Sequence, residues 1–444
     1  MKQSHLGILF LLGAAFAAVS SFVSLPIALV LLTLTLMLLT IDKWMDKIIY
    51  VPVFYIFVDY LIRKISIFGP ISTIWDDLLL LGMFVLLFYR RYKSEGKLRY
   101  EFTPMDLSVL IFILFGVSHV LIVAPDLSIA IEGFRAVFQQ VFWYFIITQF
   151  IQTPKQAKKA MNIIALMGLM LGIHATYQYV AGVQMPGNWI DSSESIRTRA
   201  FSIVGSPNIL GVIFVLFMPI VLGLVLSAKQ IALKVFYGLS LMFMTFGLVF
   251  TLSRGSWLAF GFSMLVFALF INRKIIIHLG ALVGIFIVSG SGFSQRLLFM
   301  FSPTYMLKSA AGGRIMRWMA GIDKWSESPI FGVGLGRYGG AVAMNNKLAP
   351  FYVDNYYLKT LVEMGIYGIV AFILMIVSFI HFGIKTIKYQ TTSQTRLLTI
   401  GLYTGCVGVL VQNCVENIFE VPAMVFYFWL TVALLNAFRP KECV

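Results

Sequence analysis

Two long segments of this chain, 183–207 and 292–356, lie between apolar runs and draw their basic residues mostly from arginine. Arg199, Arg314, Arg317 and Arg337 fall in them, with Arg197 and Arg296, and Arg254 stands at a third, shorter break in SRG. A guanidinium offers a planar fork of N–H donors that grips phosphate or carboxylate through two parallel hydrogen bonds, which an ammonium cannot do. The chemistry these arginines suggest is therefore the holding of an anionic group. Asp354-Asn355 closes the second segment. A carboxylate beside arginines can take a proton from a hydroxyl, and Asp or Asn at that position can equally cap the following helix.

Each residue has a plainer alternative. In GGRIMRWMAGIDKW, Ile315, Trp318, Met319, Ile322 and Trp325 recur at helical spacing beside Arg314, Arg317 and Lys324. That pattern predicts an interfacial amphipathic helix, whose arginines either grip a ligand phosphate or simply meet lipid headgroups. Gly334, Gly336 and Gly339 spell GxGxxG but follow no strand of a βαβ unit, so they predict a tight turn with backbone free to approach a ligand, and Arg337 beside them reaches phosphate or headgroups. Arg254 either snorkels or is held at fixed depth by its hairpin. Arg199 precedes Pro207-Asn208, where Asn208 is a candidate cap. Glu132 and Arg135 are spaced to pair on one helix face. His5, His119, His174, His278 and His381 do not gather with acidic residues, and Asp76-Asp77 reads as a helix start. No catalytic metal and no cofactor are expected.

The elements that must position these residues are membrane helices. Apolar residues make up 59% of the 444 residues and charged ones 12%. Apolar runs of about 20 residues, the length that crosses a bilayer, recur from end to end and are apolar on every face, which excludes a β-barrel. The expectation is an all-α polytopic membrane protein of about 12 to 14 transmembrane helices, one integral domain over 1–444, with a large extracytoplasmic loop at 292–356 holding short interfacial helices and a smaller one at 183–207. The formal charge of +15 gives no nucleic-acid signal. The short loops rich in lysine, such as RRYKSEGKLR at 90–99, mark the cytoplasmic side, which puts both termini inside and the arginine segments outside. Cys406, Cys414 and Cys443 indicate neither a disulfide framework nor a zinc site.

These motifs resemble the O-antigen ligase and polymerase superfamily, bacterial membrane glycosyltransferases that move glycans from undecaprenyl pyrophosphate. The likeness rests on Arg199, Phe201, Pro207 and Asn208, on Ser253-Arg254-Gly255, and on Asn355 followed after nine residues by Gly365 and then Gly368. The ligases of that family place His before the Asn, where this chain has Asp354. The resemblance implies a metal-independent, inverting transfer on the outer face of the plasma membrane, with Asp354 as base, Arg254 and Arg314 on the leaving pyrophosphate, and Arg199, Arg317, Arg337 and Asn355 binding substrate. It implies an undecaprenyl-pyrophosphate-linked donor, a glycan or lipid-linked acceptor, membrane lipids, and a chain-length regulator and flippase as partners. The Asp for His change favours a repeat-unit polymerase. The rival readings are a ligase to another acceptor, such as lipid A core, and a lipid-linked glycan transporter or flippase.

Overall fold

Where lipid surrounds a chain, its backbone N–H and C=O groups must be satisfied within the segment, and helices do this. The computed structural model describes residues 46–65, 69, 72–95, 100–185, 198–290 and 292–440, and these contain helices and no strand. The all-α expectation is met. The apolar runs at 6–22 and 25–41, both expected to cross the membrane, lie outside the described residues, as do His5, Arg197 and Cys443.

Seven described helices are long and apolar enough to cross a membrane: Asp106–Val123, Pro154–Ala181, Pro207–Ser227, Ile231–Phe250, Arg254–Ile271, Tyr356–Lys388 and Ser393–Gln412. Other expected spans are short, broken or, in Trp75–Glu95, charged at both ends. Pro422–Asn436 has 15 residues. The run at 130–150 divides into Leu127–Phe138, a 3-10 turn at Gln139–Val141, and Phe142–Phe150. Among the described residues, 46–52 with 58–95 form one compact unit, and 53–57 with 100–440 form another, which carries every candidate site residue.

Within that second unit Pro207–Ser227 packs against Ser393–Gln412, Ile231–Phe250, Arg254–Ile271 and Pro154–Ala181. Its approach to Ser393–Gln412 needs glycine: a Cβ on Gly401 would lie 2.4 Å from the Pro219 carbonyl oxygen, and one on Gly405 2.5 Å from that of Leu216. Small residues of this kind let membrane helices pack backbone to backbone.

The segment at 292–356 is largely helical, through Gly292–Phe299, Pro303–Ala311, Arg314–Ser326 and Ala341–Asn345. The Arg314–Ser326 helix matches the expected amphipathic helix, but its apolar residues divide between two surroundings. Trp318 and Trp325 pack on Tyr338, Val353 and Val362, while Ile315, Met319 and Ile322 stay exposed, as at a lipid interface. The Trp318 indole donates to the Val353 carbonyl at 3.1 Å and that of Trp325 to the Pro329 carbonyl at 3.0 Å.

Tyr356–Lys388 is interrupted at Gly365, whose φ of 63° and ψ of −165° leave the helical region. Two helix hydrogen bonds are lost there and four others replace them. Val333 and Gly334 donate to the Val362 and Glu363 carbonyls, while Ile366 and Tyr367 donate to those of Pro329 and Ile330. The glycine turn is thus stitched across the break, and its buried backbone groups are satisfied.

Candidate active site at the helix ends

Arg199 lies on the extended stretch before Pro207–Ser227, buried at 7% exposure. Its Nε donates to the Thr251 carbonyl at 2.8 Å and its Nη2 to Asn208 Oδ1 at 2.8 Å. Ser206, not Asn208, caps the helix, accepting from the Ile209 N–H. The Asn208 side chain is left to form a bridge: its Nδ2 donates to Glu416 Oε1 at 2.7 Å. Arg314 Nη2 donates to the same oxygen at 3.0 Å. Arg314 Nε lies 3.9 Å from Asp354 Oδ2, and Arg317 Nη1 donates to that oxygen at 2.9 Å and to the Tyr352 carbonyl at 3.2 Å.

Arg254 opens its helix, after Leu252 in the left-handed region at φ 53°. Its guanidinium stands over the Tyr305 ring at 5.2 Å and the Phe299 ring at 5.8 Å, both from the 292–311 helices. Such faces attract a guanidinium. Tyr305 also lies near enough to Arg314 to favour its charged form, so the two arginines meet around one phenol.

Asp354 has φ 53°, a region Asp tolerates better than most residues. Its neighbour supplies the cap: Asn355 Oδ1 accepts from the Leu358 N–H at 3.0 Å, and the Asn355 N–H donates to Asn417 Oδ1 at 3.1 Å. Of the two roles open to Asp354-Asn355, capping therefore falls to Asn355 and ion pairing to Asp354.

Burial governs the electrostatics. It lowers Arg199 to about 10 despite the nearby Glu416 charge, with Arg254 and Arg314 adding repulsion. It also depresses Arg314, but Glu416 and Asp354 outweigh it and leave that group raised. For Asp354 burial raises the pKa against the pull of Arg314 and Arg317. For Glu416 burial, aided by the Asp354 charge, prevails over Arg314 and Arg199 and lifts it to about 7.

The structure thus brings together Arg199, Arg254, Arg314, Arg317 and Asp354. It does not bring Arg337 to them: that residue is half-buried with Cδ against Gly334, and no described residue of the cluster bonds to it. The glycine turn serves close packing within the protein, since a Cβ on Gly332 would lie 2.4 Å from the Glu363 backbone. Glu132 accepts from Asn346 at 3.2 Å. Glu416 and Tyr305 are the site members that sequence reasoning passed over, and Asn208, expected there as a cap, joins them as a bridge. One signal pointed to Glu416: it stands in the short break between the last two apolar runs, which the alternation of loops puts on the arginine side. No group of three or more His, Cys, Asp or Glu able to hold a metal occurs among the described residues.

Residues 239–373, less than a third of the chain, match a family model described as O-antigen ligase. The matched span holds Arg254, Arg314, Arg317, Asp354 and Asn355, and leaves Arg199, Asn208 and Glu416 outside. Over that span this membrane protein is similar to the O-antigen ligase family, which supports the resemblance seen in its motifs to the O-antigen ligase and polymerase superfamily. No curated protein matches the chain.

Proposed function

We propose that the protein is a glycan polymerase, which joins a growing undecaprenyl-pyrophosphate-linked polysaccharide to the hydroxyl of another lipid-linked repeat unit on the outer face of the plasma membrane. One observation carries this reading. Four guanidiniums, those of Arg199, Arg254, Arg314 and Arg317, gather at one partly buried site beside the carboxylates of Asp354 and Glu416. Guanidinium forks gathered in this way suit a phosphate ligand, and a pyrophosphate diester offers two phosphates to grip.

In the reaction the acceptor O–H is deprotonated by a carboxylate of the site, Asp354 or Glu416. The acceptor oxygen attacks the anomeric carbon from the face opposite the pyrophosphate, the C–O bond to phosphorus breaks, and undecaprenyl pyrophosphate leaves. Attack on the opposite face inverts the anomeric centre. Each guanidinium aimed at the charge growing on the leaving group contributes on the order of 3 kcal/mol, by analogy with oxyanion donors. The arginines come from the ends of helices rather than from a file across the bilayer, which favours transfer over transport. The lysine-rich loops at the opposite ends favour an extracytoplasmic site.

Purified protein given an undecaprenyl-pyrophosphate oligosaccharide should produce a ladder of glycans on gels. A single band linked to another acceptor would indicate a ligase instead, and intact donor moved across vesicles without a new bond would indicate a transporter.

A further inference from the structure

The two carboxylates of the site differ in the cations they depend on. Each is held through one oxygen, Oδ2 of Asp354 and Oε1 of Glu416, and no described residue donates to the other oxygen of either. Asp354 belongs to Arg317, which is itself anchored on the Tyr352 carbonyl at 3.2 Å. Glu416 lies between two arginines of the cluster, in direct contact with Arg314 at 3.0 Å and tied to Arg199 through Asn208. Its side chain keeps 14% of its exposure, so Glu416 is not sealed inside the protein.

We propose, resting on the transferase reading, that Glu416 takes the proton of the acceptor hydroxyl and that Asp354 is a positioning residue that holds Arg317 and Arg314. The proton passes from the acceptor oxygen to Glu416 Oε2 as that oxygen bonds to the anomeric carbon, and Glu416 later releases it to water. Donor binding prepares this step. A pyrophosphate gripped by Arg199 and Arg314 draws on the cations that hold Glu416 ionised and brings two negative charges beside it, so the carboxylate becomes more basic once the donor is bound. Asp354 keeps Arg317 meanwhile. The groups facing Glu416 are Arg314, Arg199, Asp354 and the Asn208 amide, and its resting value of about 7 suits a base that works near neutral pH.

The test compares pH profiles of wild type, Glu416→Gln and Asp354→Asn with the same lipid-linked oligosaccharide. A base must be ionised, so wild-type kcat/KM should rise with pH to a plateau through an apparent pKa near 7, and the limb in kcat should lie higher. Glu416→Gln should lower kcat by roughly 100- to 10,000-fold and abolish the limb, while donor affinity is unchanged or tighter because a negative charge has gone. Asp354→Asn should weaken donor binding and keep the limb. Undiminished kcat or a surviving limb in Glu416→Gln, or loss of the limb in Asp354→Asn, would overturn the assignment. Should Glu416→Gln not fold, Glu416→Asp keeps the charge and withdraws it by one methylene, and unchanged kcat in that variant would equally overturn it. Wild-type protein that binds donor but forms no glycan bond would instead defeat the transferase reading itself.

Discussion

At Asn355 one side chain was open to two roles, substrate ligand and helix cap, and its geometry is that of a cap. Satisfying an otherwise unpaired N–H in the first turn stabilises a helix by about 1 kcal/mol. Asn355→Ala should therefore lower stability by about that amount. Asn355→Asp, which also caps, should restore it, and donor affinity should barely move in either variant. A thermal melt in detergent with a donor-binding titration checks this, and a large loss of affinity at unchanged stability would return Asn355 to the ligand set. The division of labour with Asp354 follows from the left-handed backbone at 354, where the chain turns before the helix begins at Tyr356.

At the scale of elements, the break at Gly365 lets one helix serve two purposes, lying in the membrane below and receiving the glycine turn above. A Cβ at 365 would lie 2.2 Å from the Ile330 carbonyl oxygen, and the φ of 63° strains any L side chain. Buried His119 clamps the same joint, with Nε2 2.9 Å from the Phe331 carbonyl and 3.1 Å from that of Met364. Gly365→Ala should cost at least about 1 to 3 kcal/mol for the backbone strain, with more for the clash. We expect a lower melting midpoint and lower activity, because the Tyr338 and Val353 core under the arginine helix rests on this joint. Wild-type stability in Gly365→Ala would show that the break is incidental.

For the molecule as a whole, the buried group of Lys359, Glu363 and Glu420 ties together chain segments remote in sequence. Lys359 pairs with Glu363 and lies 3.0 Å from Glu420, and the three side chains are 2%, 2% and 5% exposed. Glu363 also accepts from the Tyr338 N–H of the glycine turn at 2.9 Å, and Asn417 donates to the Gly339 carbonyl at 2.6 Å. Removing the lysine leaves two buried carboxylates without their cation, so Lys359→Met should destabilise by about 3 to 5 kcal/mol. Neutralising all three, as Met, Gln and Gln, should recover most of that loss in a thermal melt, since a buried ion cluster replaced as a unit is often nearly neutral. A triple variant no more stable than the single one would mean that the charges themselves hold the joint.

Much of this architecture could be read from the sequence because it is locally encoded. Hydropathy over about 20 residues marks a membrane helix whatever its neighbours do, and the period of Ile315, Trp318, Met319, Ile322 and Trp325 marks the interfacial helix. The preference for arginine marked residues that the fold gathers, whereas the spacing from Asn355 to Gly365 and Gly368 carried only a family resemblance and gave no sign of the break at Gly365. Partnership was not legible. Which apolar side chains of the Arg314–Ser326 helix turn inward, which of Asp354 and Asn355 caps, and that Arg337 stands apart all depend on what lies opposite in space. Glu416 meets Asn208 across 208 positions of sequence. No local pattern encodes such a contact: it arises when the helices pack and their ends converge, and packing is also what buries Glu416 far enough to titrate near neutrality.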